Sequence, residues 1–208
     1  MSKILYTIDM NNGFVNFGPM ANPEYNKLVP EQVKLINKFI NEGEYVNFIL
    51  EGHDQNAREF KTYPPHCIIG TEEAELIPEL KPFEKYEKAN KFYKNSINGM
   101  LNLSVQEQIR KLKDLKEIVI QGVCADLCVM DFARTSARFL DEINSDARIF
   151  VVKNAIDTFH ARGHDRDEWL YIAAKVMGQA GIEFVRDTED LENVEKAYGY
   201  YKGGNYGK

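Results

Sequence analysis

The feature that most constrains the fold is a steady alternation of β-rich and helical segments along the chain of 208 residues. The helical segments repeat apolar residues at spacings of three and four, as Val29, Val33, Ile36 and Ile40 do. Such alternation predicts a parallel sheet with helices on both faces, because parallel neighbours are joined by crossover helices. The predicted strands cover 3–8, 45–50, 85–91 (weakly), 117–121, 148–153 and 182–185. The predicted helices cover 30–43, 104–113, 126–141 and 169–176, with a short helical stretch near 72–80.

The predicted elements form one domain followed by a tail. The chain shows no internal repeat, and we interpret residues 1–188 as a single domain. Residues 189–208, which end in YGYYKGGNYGK, have no periodicity and are expected to form a mobile C-terminal tail. Residues 51–82 are irregular and rich in Asp, Pro, Gly and His. An excursion of this length in a compact domain is usually a functional loop.

Composition limits the classes of partner. The formal net charge is −6, whereas binding to nucleic acid phosphates needs a basic face. No apolar run reaches the roughly 18 residues of a membrane span, and Asp9 interrupts the first apolar run before a signal-peptide core forms. The cysteines, Cys67, Cys124 and Cys128, are odd in number, so at least one free thiol is expected. We therefore expect a soluble, cytoplasmic protein without a nucleic acid or membrane partner.

Three polar residues occupy positions where an α/β protein places its site. Asp9 follows the first strand, Lys94 follows the third, and Cys128 lies in the first turn of a helix. The helix dipole and a nearby lysine are expected to lower the pKa of such a thiol, and a carboxylate can accept its proton. An alternative interpretation is that Cys128 is a small buried residue and Asp9 a cap or an ion-pair partner.

The irregular loop holds a group of metal-binding residue types. Imidazoles with a carboxylate and open positions form a usual catalytic zinc or iron set. The alternative is a solvated loop whose histidines bind the backbone. The residues concerned are Glu51, His53, Asp54, Glu59 and His66.

A second histidine pair, His160 and His164, is interrupted by Gly163 and precedes a helix. For this pair we favour a surface or capping role over a metal site.

Four stretches carry a resemblance to a known family. They are IDMNNGF (8–14), TYPPHCIIGT (62–71), KNSINGM (94–100) and GVCADLCV (122–129). Together they resemble motifs of the isochorismatase-like cysteine hydrolases, within them the nicotinamidase/pyrazinamidase branch. The likeness runs from about residue 3 to 185. It implies a three-layer α/β/α fold with a central, mostly parallel six-stranded sheet.

The resemblance also implies catalytic roles. The family's triad falls on Asp9, Lys94 and Cys128. A cis peptide bond is expected between Val123 and Cys124, and the N–H groups of Cys124 and Cys128 are expected to form the oxyanion hole. Cys124 is then not the nucleophile.

Binding roles follow from the same resemblance. Phe14 corresponds to an aromatic wall of the substrate pocket. Glu51, His53 and His66 correspond to the ligands of one divalent metal, Zn, Fe or Mn, and Glu59 matches an additional acidic position in some relatives. If Glu51 fails to reach the metal, Asp54 or Glu59 is the alternative ligand.

The chain departs from the family pattern at three places. Glu51 stands where Asp is usual, Asn11 stands where Gln is usual, and Ile97-Asn98-Gly99 replaces Tyr-Ser-Ala. The first change concerns the metal, and the other two concern the substrate pocket.

The resemblance predicts an amidohydrolase that releases ammonia from a small planar amide, with nicotinamide as the favoured substrate. A homo-oligomer is also expected. One alternative is a metal-independent cysteine hydrolase of a carbamoyl or ureido compound. Another is a non-catalytic α/β binding protein that kept the fold, since fold alone does not imply function.

Overall fold

The computed structural model describes residues 2–192 and contains a six-stranded sheet in which all neighbouring strands are parallel. The strands are β1 (Ser2–Ile8), β2 (Tyr45–Glu51), β3 (Ala89–Lys94), β4 (Leu115–Val123), β5 (Arg148–Asp157) and β6 (Glu183–Val185). Their order across the sheet is β3-β2-β1-β4-β5-β6.

Helices connect the strands. They are α1 (Asn12–Val15), α2 (Val29–Asn41), α3 (Leu103–Lys111), α4 (Cys128–Glu142), α5 (Arg166–Gly178) and α6 (Thr188–Glu192). Short 3₁₀ segments lie at Pro23–Leu28, Arg58–Lys61, Glu72–Ala74, Lys81–Lys85 and Gly99–Leu101. Within residues 2–192, none of the helices combines the length and apolarity needed to cross a bilayer.

The sheet separates two apolar cores, because successive strand side chains point to opposite faces. Leu5 of β1 packs in one core with Leu35 and Phe39 of α2. Tyr6, the next residue, packs in the other core with Phe132 of α4. The predicted α/β/α arrangement with its parallel six-stranded sheet is confirmed.

The order of the strands determines where a site can lie. The chain moves outward from β1 through β2 to β3 and then returns to place β4 on the other side of β1. A crevice opens at such a reversal, beyond the carboxyl ends of the strands. Asp9 directly follows β1, Glu51 and Lys94 are the last residues of β2 and β3, and Cys124 directly follows β4.

Among the segments that differ from the sequence prediction are the third strand, the helical stretch in the irregular loop and the predicted tail. The third strand begins at Ala89 rather than at 85, because it is an edge strand whose half-exposed residues give little apolar signal. The helical stretch near 72–80 is only a 3₁₀ turn at Glu72–Ala74. The segment predicted as a tail begins inside α6, where Leu191 is buried. Residues 193–208 lie outside the described residues, so the prediction of a mobile tail is untested there.

Candidate active site

The structure brings Asp9, Lys94 and Cys128 together in the crevice, as the sequence predicts. Lys94 Nζ lies 2.9 Å from Asp9 Oδ2 and 3.8 Å from Cys128 Sγ. All three side chains are buried. The lysine therefore stands between the carboxylate and the sulfur and contacts both.

The protonation of these groups follows from burial and from their charged neighbours. Burial raises the pKa of Asp9 to about 7, although the Lys94 charge opposes this rise. Burial alone would lower the pKa of Lys94, but its acidic neighbours raise that pKa well above its usual value. Lys94 thus remains an ammonium, while Asp9 can take up and release a proton near neutral pH.

The surroundings of Cys128 correct one sequence expectation. The sequence predicts that the position of Cys128 at the start of a helix and its proximity to Lys94 lower the pKa of its thiol. Burial instead raises the pKa of Cys128 well above its usual value, and the Lys94 charge only partly opposes it. The resting sulfur is therefore a thiol, so it needs a proton acceptor before it can attack. Asp9, which contacts the same lysine, is the candidate acceptor.

The three residues open into a cavity of about 620 Å³. Phe14 lines it, as predicted, and the Phe14 ring meets the His66 ring edge-on at a centroid distance of 5.4 Å. A cavity of this size takes a small organic molecule and excludes a folded macromolecule. Other lining residues include Tyr63, Ile97, Leu127, Thr158 and Phe159.

The loop between β4 and α4 contributes two cavity-lining residues, Cys124 and Cys128, whose backbone N–H groups are potential donors. The peptide bond between Val123 and Cys124 is cis, as the resemblance implies. Cys128 begins α4, where first-turn N–H groups have no acceptor within the helix. Across residues 2–192, neither the Cys124 nor the Cys128 N–H group has a backbone acceptor. Both groups can therefore donate to a ligand oxygen.

The predicted metal ligands also converge. Glu51, His53, Glu59 and His66 offer ligand atoms that all lie within 4.8 Å of one another. His53 Nε2 lies 3.0 Å from Glu51 Oε1 and 3.9 Å from Glu59 Oε1. Buried His53 Nε2 and Glu51 Oε1 face each other without a well-formed hydrogen bond. Two imidazoles with two carboxylates fit a divalent metal of the Zn, Fe or Mn type.

Hydrogen bonds on the far side of each imidazole fix its orientation. His53 Nδ1 lies 3.1 Å from Asn95 Oδ1, and His66 Nδ1 lies 2.8 Å from the Pro64 carbonyl oxygen. Since both partners accept, each Nδ1 can donate a proton to its partner, and in the neutral ring each Nε2 then keeps its lone pair. This is the usual second layer around metal-binding histidines.

Glu51 joins the two groups of residues. One of its carboxylate oxygens contacts Lys94 Nζ, and the other faces His53. Burial would raise the pKa of Glu51, but the Lys94 charge and the contacts with His53 and Lys94 together outweigh burial and lower that pKa to about 2. Asn11 donates to the Glu51 carbonyl oxygen at 2.9 Å and accepts from its N–H at 3.2 Å. Asn11 thus supports the position of Glu51 from behind.

Asp54 does not belong to the metal-binding group. Its side chain is exposed and accepts a hydrogen bond from Asn95 Nδ2 at 2.8 Å. The alternative of Asp54 as a ligand is therefore wrong, because the chain turns outward after His53.

Sequence reasoning missed the role of Asn95, although this residue directly follows Lys94 in KNSINGM. It also missed Asp126, which lies between β4 and α4 and contacts His164 in the segment after β5. Position within a motif was the only signal for either residue.

Known proteins resemble this chain in sequence and in fold. The family model described as the isochorismatase domain matches residues 3–180. Nicotinamidase 1 of Arabidopsis thaliana is 37% identical over 188 residues, which cover 84% of this chain and 74% of that protein. The crystal structure of the nicotinamidase PncA from Bacillus subtilis is 27% identical with a TM-score of 0.72, covering 89% of this chain and 100% of that chain. The crystal structure of the pyrazinamidase of Pyrococcus horikoshii in complex with zinc shares the fold at 22% identity and a TM-score of 0.72, covering 89% and 99%. The chain therefore belongs to the isochorismatase family.

Proposed function

We propose that this protein is a cysteine amidohydrolase that converts nicotinamide to nicotinate and ammonia through a thioester on Cys128. The observation that carries the proposal is the buried contact of Lys94 with both Asp9 and Cys128, at the wall of a cavity sized for a small molecule. The similarity to the nicotinamidase of Arabidopsis thaliana supports the choice of amide.

The first half of the reaction forms the thioester. Asp9 takes the proton from the Cys128 thiol, and the sulfur attacks the amide carbon. The N–H groups of Cys124 and Cys128 donate to the oxyanion that develops on the carbonyl oxygen. Lys94 keeps the Asp9 carboxylate in place and balances the negative charge. The C–N bond then breaks, and ammonia leaves with the proton that Asp9 returns.

The second half releases the acid. Water attacks the thioester carbon and gives a proton to Asp9, and the same two N–H groups bind the second oxyanion. The C–S bond breaks, and the proton passes from Asp9 to the Cys128 sulfur. The product leaves as nicotinic acid and gives its carboxyl proton to the solvent to become nicotinate. Atoms and protons balance, and the resting thiol is restored.

A divalent metal fits beside these residues, with Glu51, His53, Glu59 and His66 as its ligands. When bound, it would hold the pyridine nitrogen of the substrate directly or through water. Phe14, which contacts His66 at the cavity wall, would pack against the ring. The metal is Zn, Fe or Mn in this proposal.

A second candidate is a metal-independent hydrolase of a carbamoyl or ureido compound. One observation favours it, namely that Glu51 already contacts the Lys94 ammonium. If that ion pair holds the carboxylate, the metal loses one ligand, and a substrate without a ring nitrogen becomes the better fit.

The proposed substrate is a small molecule, with no nucleic acid or membrane involved. The cytoplasmic location and the homo-oligomeric state remain predictions from the sequence.

Ammonia release separates the two candidates. Purified protein is assayed on nicotinamide, pyrazinamide, N-carbamoyl amino acids and ureido compounds, and its metal content is measured on the same sample. We expect release from nicotinamide and loss of that activity after chelation. Metal-free protein with chelator-insensitive release from a carbamoyl compound would favour the second candidate. A protein that releases ammonia from none of these compounds would contradict both.

A further inference from the structure

A second polar cluster lies behind the loop that carries the proposed oxyanion donors. Asp126, between Cys124 and Cys128, is buried, and its carboxylate accepts from the Thr158 hydroxyl and lies 2.8 Å from His164 Nε2. The reaction steps above use none of these three groups. Burying a carboxylate costs free energy unless hydrogen bonds satisfy it, and Thr158 and His164 are the hydrogen-bond partners of Asp126.

Two hydrogen-bond partners and two aromatic rings contact the His164 imidazole. Its Nδ1 lies 3.0 Å from the Phe159 carbonyl oxygen, so both ring nitrogens face oxygen acceptors. The ring is stacked between Phe159 and Trp169, with centroid distances of 3.8 and 4.9 Å and interplanar angles of 10° and 3°. The imidazole is therefore fixed in both position and direction.

The cluster ties two neighbouring segments together. Thr158 and His164 lie after β5, whereas Asp126 lies between β4 and α4. A main-chain bond from Ala125 N–H to the Asp157 carbonyl oxygen, at 2.8 Å, runs beside the two side-chain bonds. The loop 124–128 is thus anchored to the segment 157–164 by three hydrogen bonds.

We propose that Asp126 and His164 are positioning residues that hold the N–H groups of Cys124 and Cys128 where they bind the oxyanion. This rests on the proposed function, since the oxyanion arises only when Cys128 attacks an amide carbonyl. The anchor acts on the transition state more than on the bound substrate, because the donors meet full negative charge only there. A displacement of about 1 Å in a catalytic site can lower the rate about 100-fold.

Three substitutions separate positioning from general stability. His164→Phe keeps an aromatic ring between Phe159 and Trp169 but removes the donor to Asp126. Asp126→Ala removes the acceptor. Asp126→Asn keeps an oxygen acceptor for Thr158 and places an amide group opposite His164 Nε2, so it serves as the conservative variant. Asp146→Ala is the matched control, because Asp146 is exposed near the amino end of β5, away from the site.

The measurements are kcat and KM for nicotinamide, together with the affinities for pyridine-3-carbaldehyde and for nicotinate. The aldehyde forms an adduct with the Cys128 sulfur that carries an oxyanion, whereas nicotinate binds without forming one. For His164→Phe and Asp126→Ala we expect kcat to fall about 10- to 100-fold with KM changed less than about threefold. Aldehyde affinity should fall in parallel, while nicotinate affinity stays the same. Asp126→Asn should keep most of the wild-type kcat, and Asp146→Ala should keep all of it.

A folded His164→Phe enzyme with kcat within about twofold of the wild type would overturn the proposal. Equal losses of aldehyde and nicotinate affinity would overturn it as well, because they indicate damage to the whole site. If Asp126→Ala does not fold, His164→Phe and Asp126→Asn decide the question. Wild-type protein that releases no ammonia from nicotinamide would instead overturn the proposed function.

Discussion

The two cysteines of the GVCADLCV loop have different surroundings, which allows them to be distinguished by substitution. Cys128 Sγ lies 3.8 Å from Lys94 Nζ, whereas Cys124 Sγ lies 3.3 Å from the Tyr25 hydroxyl. Cys128→Ala should abolish ammonia release, since it removes the nucleophile. Cys124→Ala should keep a measurable rate, because its backbone N–H remains. Steady-state assays on folded variants check this, and the reverse result would show that the roles are exchanged.

The raised pKa of Asp9 predicts how the rate depends on pH. Asp9 must be ionised to accept the thiol proton, and burial places its pKa at about 7. The ionised fraction, and with it kcat/KM for nicotinamide, should fall about tenfold per pH unit below 7 and level off above it.

A pH series with a stability check at each point measures this acid limb. Asp9→Asn keeps the shape of the side chain but removes the acceptor, so it should be inactive at every pH. A wild-type rate that stays constant from pH 7 to about two units lower would exclude Asp9 as the base.

The candidate catalytic residues were predictable from sequence, while their environment was not. Asp9 directly follows an apolar strand and Cys128 begins the helix after another, so their positions at the carboxyl edge of the sheet could be predicted. The rise in the Cys128 pKa could not, because it depends on burial by distant segments. Asn95 and the Asp126–His164 contact depend on pairings between separate loops, which no local pattern reveals.

At the scale of elements, the orientation of His53 in the loop after β2 depends on Asn95, which directly follows β3. Asn95 Oδ1 accepts from His53 Nδ1 at 3.1 Å and so directs Nε2 toward Glu51 and Glu59. Asn95→Ala should weaken metal binding about 10- to 100-fold, as is typical when such an outer partner is lost.

Metal titration of protein from which the metal has been removed with a chelator, followed by elemental analysis, measures that change in metal affinity. His53→Ala is the reference for complete loss, and Asp146→Ala is a control without effect. Asn95→Ala protein that binds metal as tightly as the wild type would show that Asn95 does not orient the ligand.

The close approach of the paired strands β1 and β4 depends on a glycine. Gly122 has φ of +120°, and a Cβ there would lie 2.0 Å from the Ile8 carbonyl oxygen. Gly122→Ala should therefore destabilise the fold by about 3 kcal/mol or more, because rigid backbone must move. Gly43 also has a positive φ, of +71°, but nothing lies within 4 Å of a Cβ there, so Gly43→Ala should cost only about 1–2 kcal/mol.

Denaturant unfolding of both variants compares the two losses of unfolding free energy. Equal losses would mean that the close approach of Gly122 to β1 does not matter.

The elements with two buried faces were the easiest to predict. β1 and β4 lie in the middle of the sheet, and their apolar runs are clear in the sequence. β3 lies at an edge and is half-exposed, so its start was predicted at 85 instead of at Ala89. β5 continues past the predicted end at 153 through exposed Lys153 and Asn154. Because these two residues are polar, the apolar pattern did not indicate the last residues of the strand.

At the scale of the whole molecule, the site is assembled from the ends of four strands and not from any one segment. Asp9 comes from β1, Glu51 from β2, Lys94 from β3 and Cys128 from the helix after β4. The family resemblance identified these residues because the motifs mark the strand ends. The extension of packed structure to Leu191 was not visible, since that segment has no periodicity.

The position of β3 has a consequence for how the enzyme would lose activity. Lys94 is the last residue of β3, which among the described residues 2–192 has a hydrogen-bonded neighbour strand on one side only. Edge strands with half-exposed side chains open locally at a lower free energy than central strands do. Fraying of β3 would pull the ammonium away from Asp9 while both apolar cores stay intact. In rising denaturant, ammonia release should therefore disappear before far-UV ellipticity does, and protection from hydrogen exchange should be lost in β3 before it is lost in β1.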